Sequence, residues 1–364
     1  MNNNKTKIIL GIETSCDDTA IAVVNSERKI LSNIVINQNS EHMQHGGIVP
    51  EIAARAHLKL LEYALERALK KANKSLNEID LICATGGPGL IGGLIVGTTF
   101  AKTLSLTLNK PYISVNHLEG HALTTRLINN ISYPYLLLLV SGGHTQLLGV
   151  IAYGEYKRIS TTLDDAAGET FDKGAKMLGL KHPGGPEIEK YSLKGDENSY
   201  IFPKPMYKSK NPNFSFSGLK TAFSRTISRI NNIEKEKSNL AASLQFTISE
   251  CILDRTKSAL NIFKKMISND KNIQLVVAGG VAANTKIRQE LLEFSKQENL
   301  EFFAPPINLC TDNGAMIAWA GYEKFINLGS SKLDFKPRPR WPLDPTAHLL
   351  NPTMKIVGKK GIKS

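Results

Sequence analysis

The sequence predicts an α/β protein built twice over, in two similar halves with a cleft between them. Three observations predict it. Apolar runs flank a polar turn in KIILGIETSCDDTAIAVV (7–24) and again in YLLLLVSGGHTQLLGVI (135–151), the pattern of a strand, a turn and a second strand. An apolar run, a glycine pair and a helical pattern follow one another in LICATGGPGLIGGLIVGTTFAKTL (81–104) and in LVVAGGVAANTKIRQELL (275–292). The order of these two units is the same in both halves, a repeat in kind of structure more than in residue identity.

The first half is read as residues 7–131 and the second as 132–345, with an insertion near 154–235 rich in Gly, Pro and charge. Residues 346–364 form a basic tail. Helices fill the remaining gaps. In PEIAARAHLKLLEYALERALKKA (50–72), Ala54, Leu58, Leu61, Leu65 and Leu69 are expected on one face. Arg55, Lys59 and Arg67 lie opposite and offer a face for RNA. Ser238 to Met266 is a long amphipathic candidate. TDNGAMIAWAGYEKFI is another helix, with Thr311 or Asp312 as its cap. KPRPRWPLD, followed by KIVGKKGIKS, reads as a basic, Pro-rich surface tail, a plain solvated one in the favoured reading and one that also touches RNA in the other.

The chain of 364 residues is 41% hydrophobic and 21% charged, an ordinary globular composition able to bury a sizeable core. Lys plus Arg is 45 against 33 Asp plus Glu, a net charge of +12 that favours a polyanionic partner such as nucleic acid. Its four cysteines, Cys16, Cys83, Cys251 and Cys310, contain no C-x-x-C pair, which points to a reducing compartment. The polar start MNNNKTK lacks an apolar signal core, and YLLLLV is too short to span a bilayer. The cytoplasm, with no membrane partner, is the expected setting.

Anions bind where free backbone amides converge, at glycine-rich turns and helix N-termini. Three places offer this: Thr14-Ser15-Cys16, Ser141-Gly142-Gly143, and Gly279-Gly280 ahead of a helix that Asn284 begins. Neither a G-x-x-x-x-G-K-[ST] loop nor a strand-linked G-x-G-x-x-G occurs, and GGPGLIGG (86–93) is read as a backbone-packing element. HLEGH places His117 and His121 four apart, on one face of a helix, where they can share a metal. A zinc protease needs H-E-x-x-H, and Leu118 stands where its base would be. Asp312 is the third ligand candidate. Two His and one carboxylate with open positions suit Fe(II), with Zn(II) also accommodated.

Nine segments, in order from Gly11 to Gly321, resemble the universal tRNA threonylcarbamoyladenosine transferase family, once described as a glycoprotease. They are GIETSCDDTA, GGIVPEIAARAHL, HLEGHAL, LLVSGGHTQL, DDAAGETFDKGAKMLGL, HPGGPEIEK, FSFSGLKTA, VAGGVAANTKIR and CTDNGAMIAWAG. The resemblance implies an actin-like, sugar-kinase-like fold of two ribonuclease-H-like lobes. It implies transfer of a threonylcarbamoyl group from threonylcarbamoyl-AMP to N6 of the adenine 3′ of the anticodon. By the same resemblance His117, His121 and Asp312 hold one divalent metal. Val140, Ser141, Gly142, Gly143 and His144 line the donor site, with Asp172, Gly185, Glu189 and Asn284 also near it. The partners it implies are tRNA, a paralogous non-catalytic subunit and a small ATPase. Mitochondrial members act as homodimers, and the lack of an Arg- and Ser-rich leader favours the bacterial arrangement. The first turn departs from the common Cys-Asp-Glu-Thr, reading Cys-Asp-Asp-Thr, so Asp18 keeps the charge with a shorter reach.

The expected chemistry is acyl transfer to a weakly nucleophilic amine, in which orientation of the reactants supplies much of the rate. Asp17 is the candidate base. Two rival readings are an actin-like-fold ATPase or kinase, and a nucleotide-regulated scaffold whose metal is structural.

Overall fold

The computed structural model describes residues 6–43, 47–267 and 272–347. The expected tail at 346–364 therefore lies almost wholly outside the described residues. The chain divides into two compact units, one of residues 1–131 with 311–345, the other of residues 132–310.

In the first unit, β1 (Ile8–Glu13), β2 (Asp18–Asn25) and β3 (Ile30–Asn37) form an antiparallel meander. Helices α1 (Asn39–His42) and α2 (Pro50–Ala72) follow, then β4 (Leu81–Gly87), α3 (Ile91–Leu108), β5 (Tyr112–Asn116) and α4 (His117–Ile128). The sheet order is β3-β2-β1-β4-β5, with β4 parallel to both β1 and β5. The second unit repeats this plan. Its strands β6 (Tyr135–Val140), β7 (Thr145–Ala152) and β8 (Glu155–Thr161) form the meander. Helices α5 (Ala167–Met177), α6 (Gly184–Ser192), α7 (Ser217–Ile227) and α8 (Ile233–Ile267) come next, before β9 (Gln274–Ala278), α9 (Thr285–Gln297) and β10 (Glu301–Phe303). Its order, β10-β9-β6-β7-β8, is the first sheet's read in the other direction.

The expected insertion at 154–235 begins later than its composition suggests. Residues 155–161 are β8, the counterpart of β3, paired along β7. The added material starts beyond Thr161 and contains α5 to α7.

The second boundary also differs from expectation. The last helix, α10 (Gly314–Leu328), packs on β1, β2, β4 and α4, so 311–345 belongs to the first unit and not to the second. Close backbone approach explains the packing. A Cβ on Gly11 would lie 2.1 Å from the carbonyl oxygen of Gly314, and one on Gly314 would lie 2.4 Å from the amide of Ala22. Only a helix face of Gly314, Ala318 and Gly321 can sit so tightly on the strands.

On the opposite face, α2 and α3 cover the same sheet around Leu10, Ile12, Leu61, Leu65 and Ala101. The buried stripe of α2 is Ala53, His57, Leu61, Ala64, Leu65 and Ala68. Leu58, expected inside, is 71% exposed. The stripe is rotated because His57, polar by type, is one of its buried anchors. Helix α3 is the one described helix long and apolar enough to cross a membrane, and it packs against α2 and β4. In the second unit the core gathers Leu136, Leu138, Phe171, Phe216, Phe223 and Phe263 between sheet and helices.

Candidate functional site

Helix α4 starts at His117 because Asn116 caps it, its Oδ1 accepting from the amides of Leu118 (2.9 Å) and Glu119 (3.4 Å). His117 and His121 then stand one turn apart on the same face, with ring centroids 4.8 Å apart. Asp312 arrives from the start of α10. Asn313, and neither Thr311 nor Asp312, is the cap there, accepting from the amide of Met316 at 2.9 Å. The capping duty thus falls on Asn313, and the Asp312 carboxylate faces the histidines. Its Oδ1 lies 3.1 Å from His121 Nε2 and 3.5 Å from His117 Nε2. The three ligand atoms lie within 4.8 Å of one another, so the triad expected from sequence is a possible metal-binding group.

Glu13, at the end of β1, was not expected in this site. It is fully buried, its Oε1 accepts from the amide of Ser15 at 2.5 Å, and its Oε2 accepts from Thr85 Oγ1. The same Oε2 lies 3.0 Å from His117 Nδ1. Hydrogen-bonded in this way, His117 donates through Nδ1 and turns Nε2 toward Asp312. Burial alone would lower the His117 pKa, but Glu13 and Asp312 outweigh it and raise it to about 9. Burial would raise the Glu13 pKa, and His117 reverses that to a net lowering. The sequence did carry a signal: an acid inside the buried run of GIET needs a cationic or hydrogen-bonding partner.

The turn after Glu13 carries Cys16, Asp17 and Asp18, all half-buried. His57 holds it. Its Nε2 donates to the Cys16 carbonyl (3.0 Å), and its Nδ1 meets Thr19 Oγ1 (2.8 Å) and Gln38 Nε2 (3.2 Å). Burial keeps the His57 pKa low, which suits the neutral ring these bonds require. The Asp17 carbonyl accepts from the amide of Gln38 at 3.2 Å. Asp18 accepts from Asn37 Nδ2 at 2.7 Å. Its carboxyl pKa is raised to about 7, first by burial and then by the charge of Asp312.

In the second unit the turn after Val140 closes on itself. The Ser141 amide donates to the His144 carbonyl (2.8 Å), and the His144 amide donates to Ser141 Oγ (3.1 Å). Those two amides are therefore spent within the turn. Gly142 and Gly143 make no such bond among the described residues, and a Cβ on either would meet nothing within 4 Å. Gly168, in the first turn of α5, packs on Ser141 and Gly142. One turn further along α5, Asp172 Oδ1 accepts from the Gly184 amide at 2.7 Å, which brings Gly185 alongside. The space beyond Gly185 is likewise open. Glu189 and Asn284 are tied into the scaffold. Glu189 Oε1 accepts from the Thr285 amide (2.8 Å) and from its hydroxyl. Asn284 caps α9 through the Ile287 amide (3.1 Å) and donates to Gln245 Oε1 (2.8 Å).

A family model described as TsaD, tRNA N6-adenosine threonylcarbamoyltransferase, matches residues 29–319. The chain belongs to this family. Proteins of that name are similar to it over nearly their whole length. The one from Rickettsia rickettsii (strain Sheila Smith) is 52% identical over 337 residues, covering 92% of this chain and 98% of its own. The one from Rickettsia bellii (strain OSU 85-389) is 53% identical over 339 residues, covering 93% and 99%. That of Rickettsia prowazekii (strain Madrid E) is 48% identical over 384 residues, again covering 93% and 99%. Among solved structures, full-length HypF in a phosphate- and nucleotide-bound form superimposes with a TM-score of 0.56 at 14% identity, covering 89% of this chain and 47% of that one. HypF of T. kodakarensis gives the same score and identity, with 48% of its length covered. The fold of this TsaD-family chain is accordingly the actin-like, sugar-kinase-like one that the motifs implied.

Proposed function

We propose that this chain transfers the threonylcarbamoyl group from threonylcarbamoyl-AMP to N6 of the adenine 3′ of the anticodon, in tRNAs that read codons beginning with A, releasing AMP. The family match over most of the chain carries this reading. The ATPase, kinase and scaffold alternatives lose ground to it, because the relatives that match throughout are named as transferases.

The donor set supports a resident divalent metal. Two Nε2 atoms and one carboxylate oxygen converge, and a buried carboxylate already orients one of the rings. His117, His121 and Asp312 would hold it, with Fe(II) favoured and Zn(II) accommodated. When bound, it supplies an anchor for the donor and a Lewis acid for charge developing on oxygen. The rest falls to the chain. The amides of Gly142 and Gly143 would donate to the donor phosphate, whose charge grows as AMP departs. Asp172 and Gly185 would line the nucleotide beside them, while Glu189 and Asn284 hold α6, α8 and α9 in place. Asp17 is the candidate to take the amine proton.

We place the protein in the cytoplasm, with tRNA as acceptor and a paralogous subunit and a small ATPase as partners. Mass spectrometry of nucleosides from tRNA incubated with threonylcarbamoyl-AMP, with and without those partners, tests the reading. Threonylcarbamoyladenosine should form only with the chain present. Tight nucleotide binding with no modified nucleoside would overturn the transferase assignment.

A further inference from the structure

The segment after α10 reads in sequence as a surface tail, yet its backbone is pinned to the first unit at several points. The Ser331 amide donates to the Tyr112 carbonyl (2.8 Å), and the Arg338 amide to the Gly86 carbonyl (2.7 Å). The Gly89 amide donates to the Pro339 carbonyl (3.2 Å), and Lys102 Nζ to the Phe335 carbonyl (2.6 Å). Asn116, the cap of the helix bearing His117 and His121, donates through Nδ2 to the Trp341 carbonyl at 2.9 Å. Gly87 has φ +141, and a Cβ there would lie 1.9 Å from the Arg338 carbonyl oxygen, so the GGPG loop is shaped to seat this strap.

The backbone is fixed, but most of its cations are not engaged. Lys332, Lys336, Arg338 and Arg340 are exposed, and none forms an ion pair among the described residues. By contrast, Arg55 on the basic face of α2 is already paired with Glu51 at 2.6 Å. Arg338 lies over the rings of Phe335 (5.3 Å) and Trp341 (5.1 Å), which fixes its guanidinium in place. Pro337 and Pro339 alternate with Lys336, Arg338 and Arg340 and stiffen the backbone that presents them. An open surface pocket of about 660 Å³ lies against the strap, lined by Lys324, Lys332, Lys336 and Arg338 with Asp334 the one acid among its lining residues.

We infer that the 332–341 strap is a docking surface for RNA phosphates, holding the acceptor strand beside the helix that carries the metal-ligand histidines. The inference rests on the proposed tRNA reaction for the identity of its partner. Fixed, unpaired cations bind a polyanion without first breaking internal pairs. Attachment to the cap of α4 and, through Gly89 and Leu90, to the Ser15 turn gives an RNA held here a defined register on the centre.

The test uses the full-length, metal-loaded chain and an anticodon stem-loop RNA, with affinity measured by fluorescence anisotropy across a salt titration. The variant Lys332→Ala/Lys336→Ala/Arg340→Ala should keep its melting temperature, because these side chains have no ion-pair partner among the described residues to lose. Its RNA affinity should fall about tenfold or more near 0.1 M salt, and its log–log salt slope should flatten by about two to three, as loss of three phosphate contacts requires. The charge-keeping variant Lys332→Arg/Lys336→Arg/Arg340→Lys should bind as the unaltered chain does. Unchanged affinity and slope in the alanine variant would overturn the inference, as would no RNA binding by the unaltered chain. Charge-dependent capture of phosphatidylserine vesicles with unchanged RNA affinity would overturn it in favour of a membrane role. Nucleoside mass spectrometry on the same samples, supplied with threonylcarbamoyl-AMP and the partner proteins, separates the two readings. Modification without strap-dependent binding sinks this inference alone, and strap-dependent binding without modification sinks the transferase reading alone.

Discussion

His117 is caught between two carboxylates, Glu13 on its Nδ1 and Asp312 facing its Nε2. With its pKa raised to about 9, the ring is protonated at neutral pH in the metal-free chain. A metal must displace that proton from Nε2. Metal affinity should therefore climb about tenfold per pH unit up to about 9 and then level off, with close to one proton released per ion. Calorimetry in buffers of different ionisation enthalpy measures this, and a flat profile between pH 6 and pH 8 would refute it. Glu13→Gln should weaken metal binding by roughly ten- to a hundredfold while the chain still folds. Asp18 links pH to folding itself. Its carboxyl is raised from 3.8 to about 7 by burial and the charge of Asp312, so the folded chain holds that proton more tightly than the unfolded chain. Its stability contribution is lost as pH rises from 3.8 through 7, and the deficit persists above 7. Asp18→Asn should raise the melting temperature of the metal-free protein by a few degrees at pH 8 and leave it unchanged near pH 3.5. Asp17→Asn, the base variant, should cut the transfer rate by about 10² or more, with Asp18→Asn costing less. Equal rates for the two would remove Asp17 from that role. The triad was legible because two histidines four apart declare a helix face. Glu13 was not, because its partner stands 104 residues away and only the fold brings them together.

At the scale of elements, two asparagine caps determine where the candidate ligands point. Asn116 fixes the first turn of α4 and hence His117, and Asn313 fixes the first turn of α10 and hence the residue just before it, Asp312. The run Thr311-Asp312-Asn313 offers three residues able to cap, and sequence has no means of choosing among them. The structure assigns the work to the one whose departure leaves the carboxylate for the histidines. The phase of α2 departs from its apolar pattern for a related reason. Residue type sets a helix face on average, but His57 is buried because the Cys16 carbonyl, Thr19 and Gln38 satisfy its ring. Asn313→Ala should cost about 1 kcal/mol of stability and also weaken metal binding by loosening Asp312. Asn284→Ala, the corresponding cap of α9 in the second unit, should cost a similar amount and leave metal affinity alone. Chemical denaturation alongside metal titration checks the pair, and equal metal loss in both would mean that the effect is general destabilisation. Thr311→Ala should do neither.

At the scale of the whole molecule, duplication was legible and connectivity was not. Each half repeats a meander followed by two parallel strands, and apolar runs such as 7–24 and 135–151 mark the strands by residue pattern alone. A pattern of this kind carries no information on which half a later helix will cover. The choice is made by shape. Gly11 in β1 and Gly314 in α10 remove the side chains that would hold helix and sheet apart, and Ala315, Met316, Ile317, Ala318 and Ala320 are then wholly buried. A fragment of residues 1–131 lacks this cover, leaving one face of a five-stranded sheet open to water. It should aggregate or unfold without a cooperative transition. The same fragment joined by a flexible Gly/Ser linker to 311–345 should be monomeric and melt cooperatively, and it should bind the metal, since His117, His121, Asp312 and Glu13 are all included. Size-exclusion chromatography, thermal melting by circular dichroism and metal titration on the two fragments decide the matter. A monomeric, cooperatively folded 1–131 would mean that α10 is an accessory to this unit, and the close approach at Gly11 would then need another explanation.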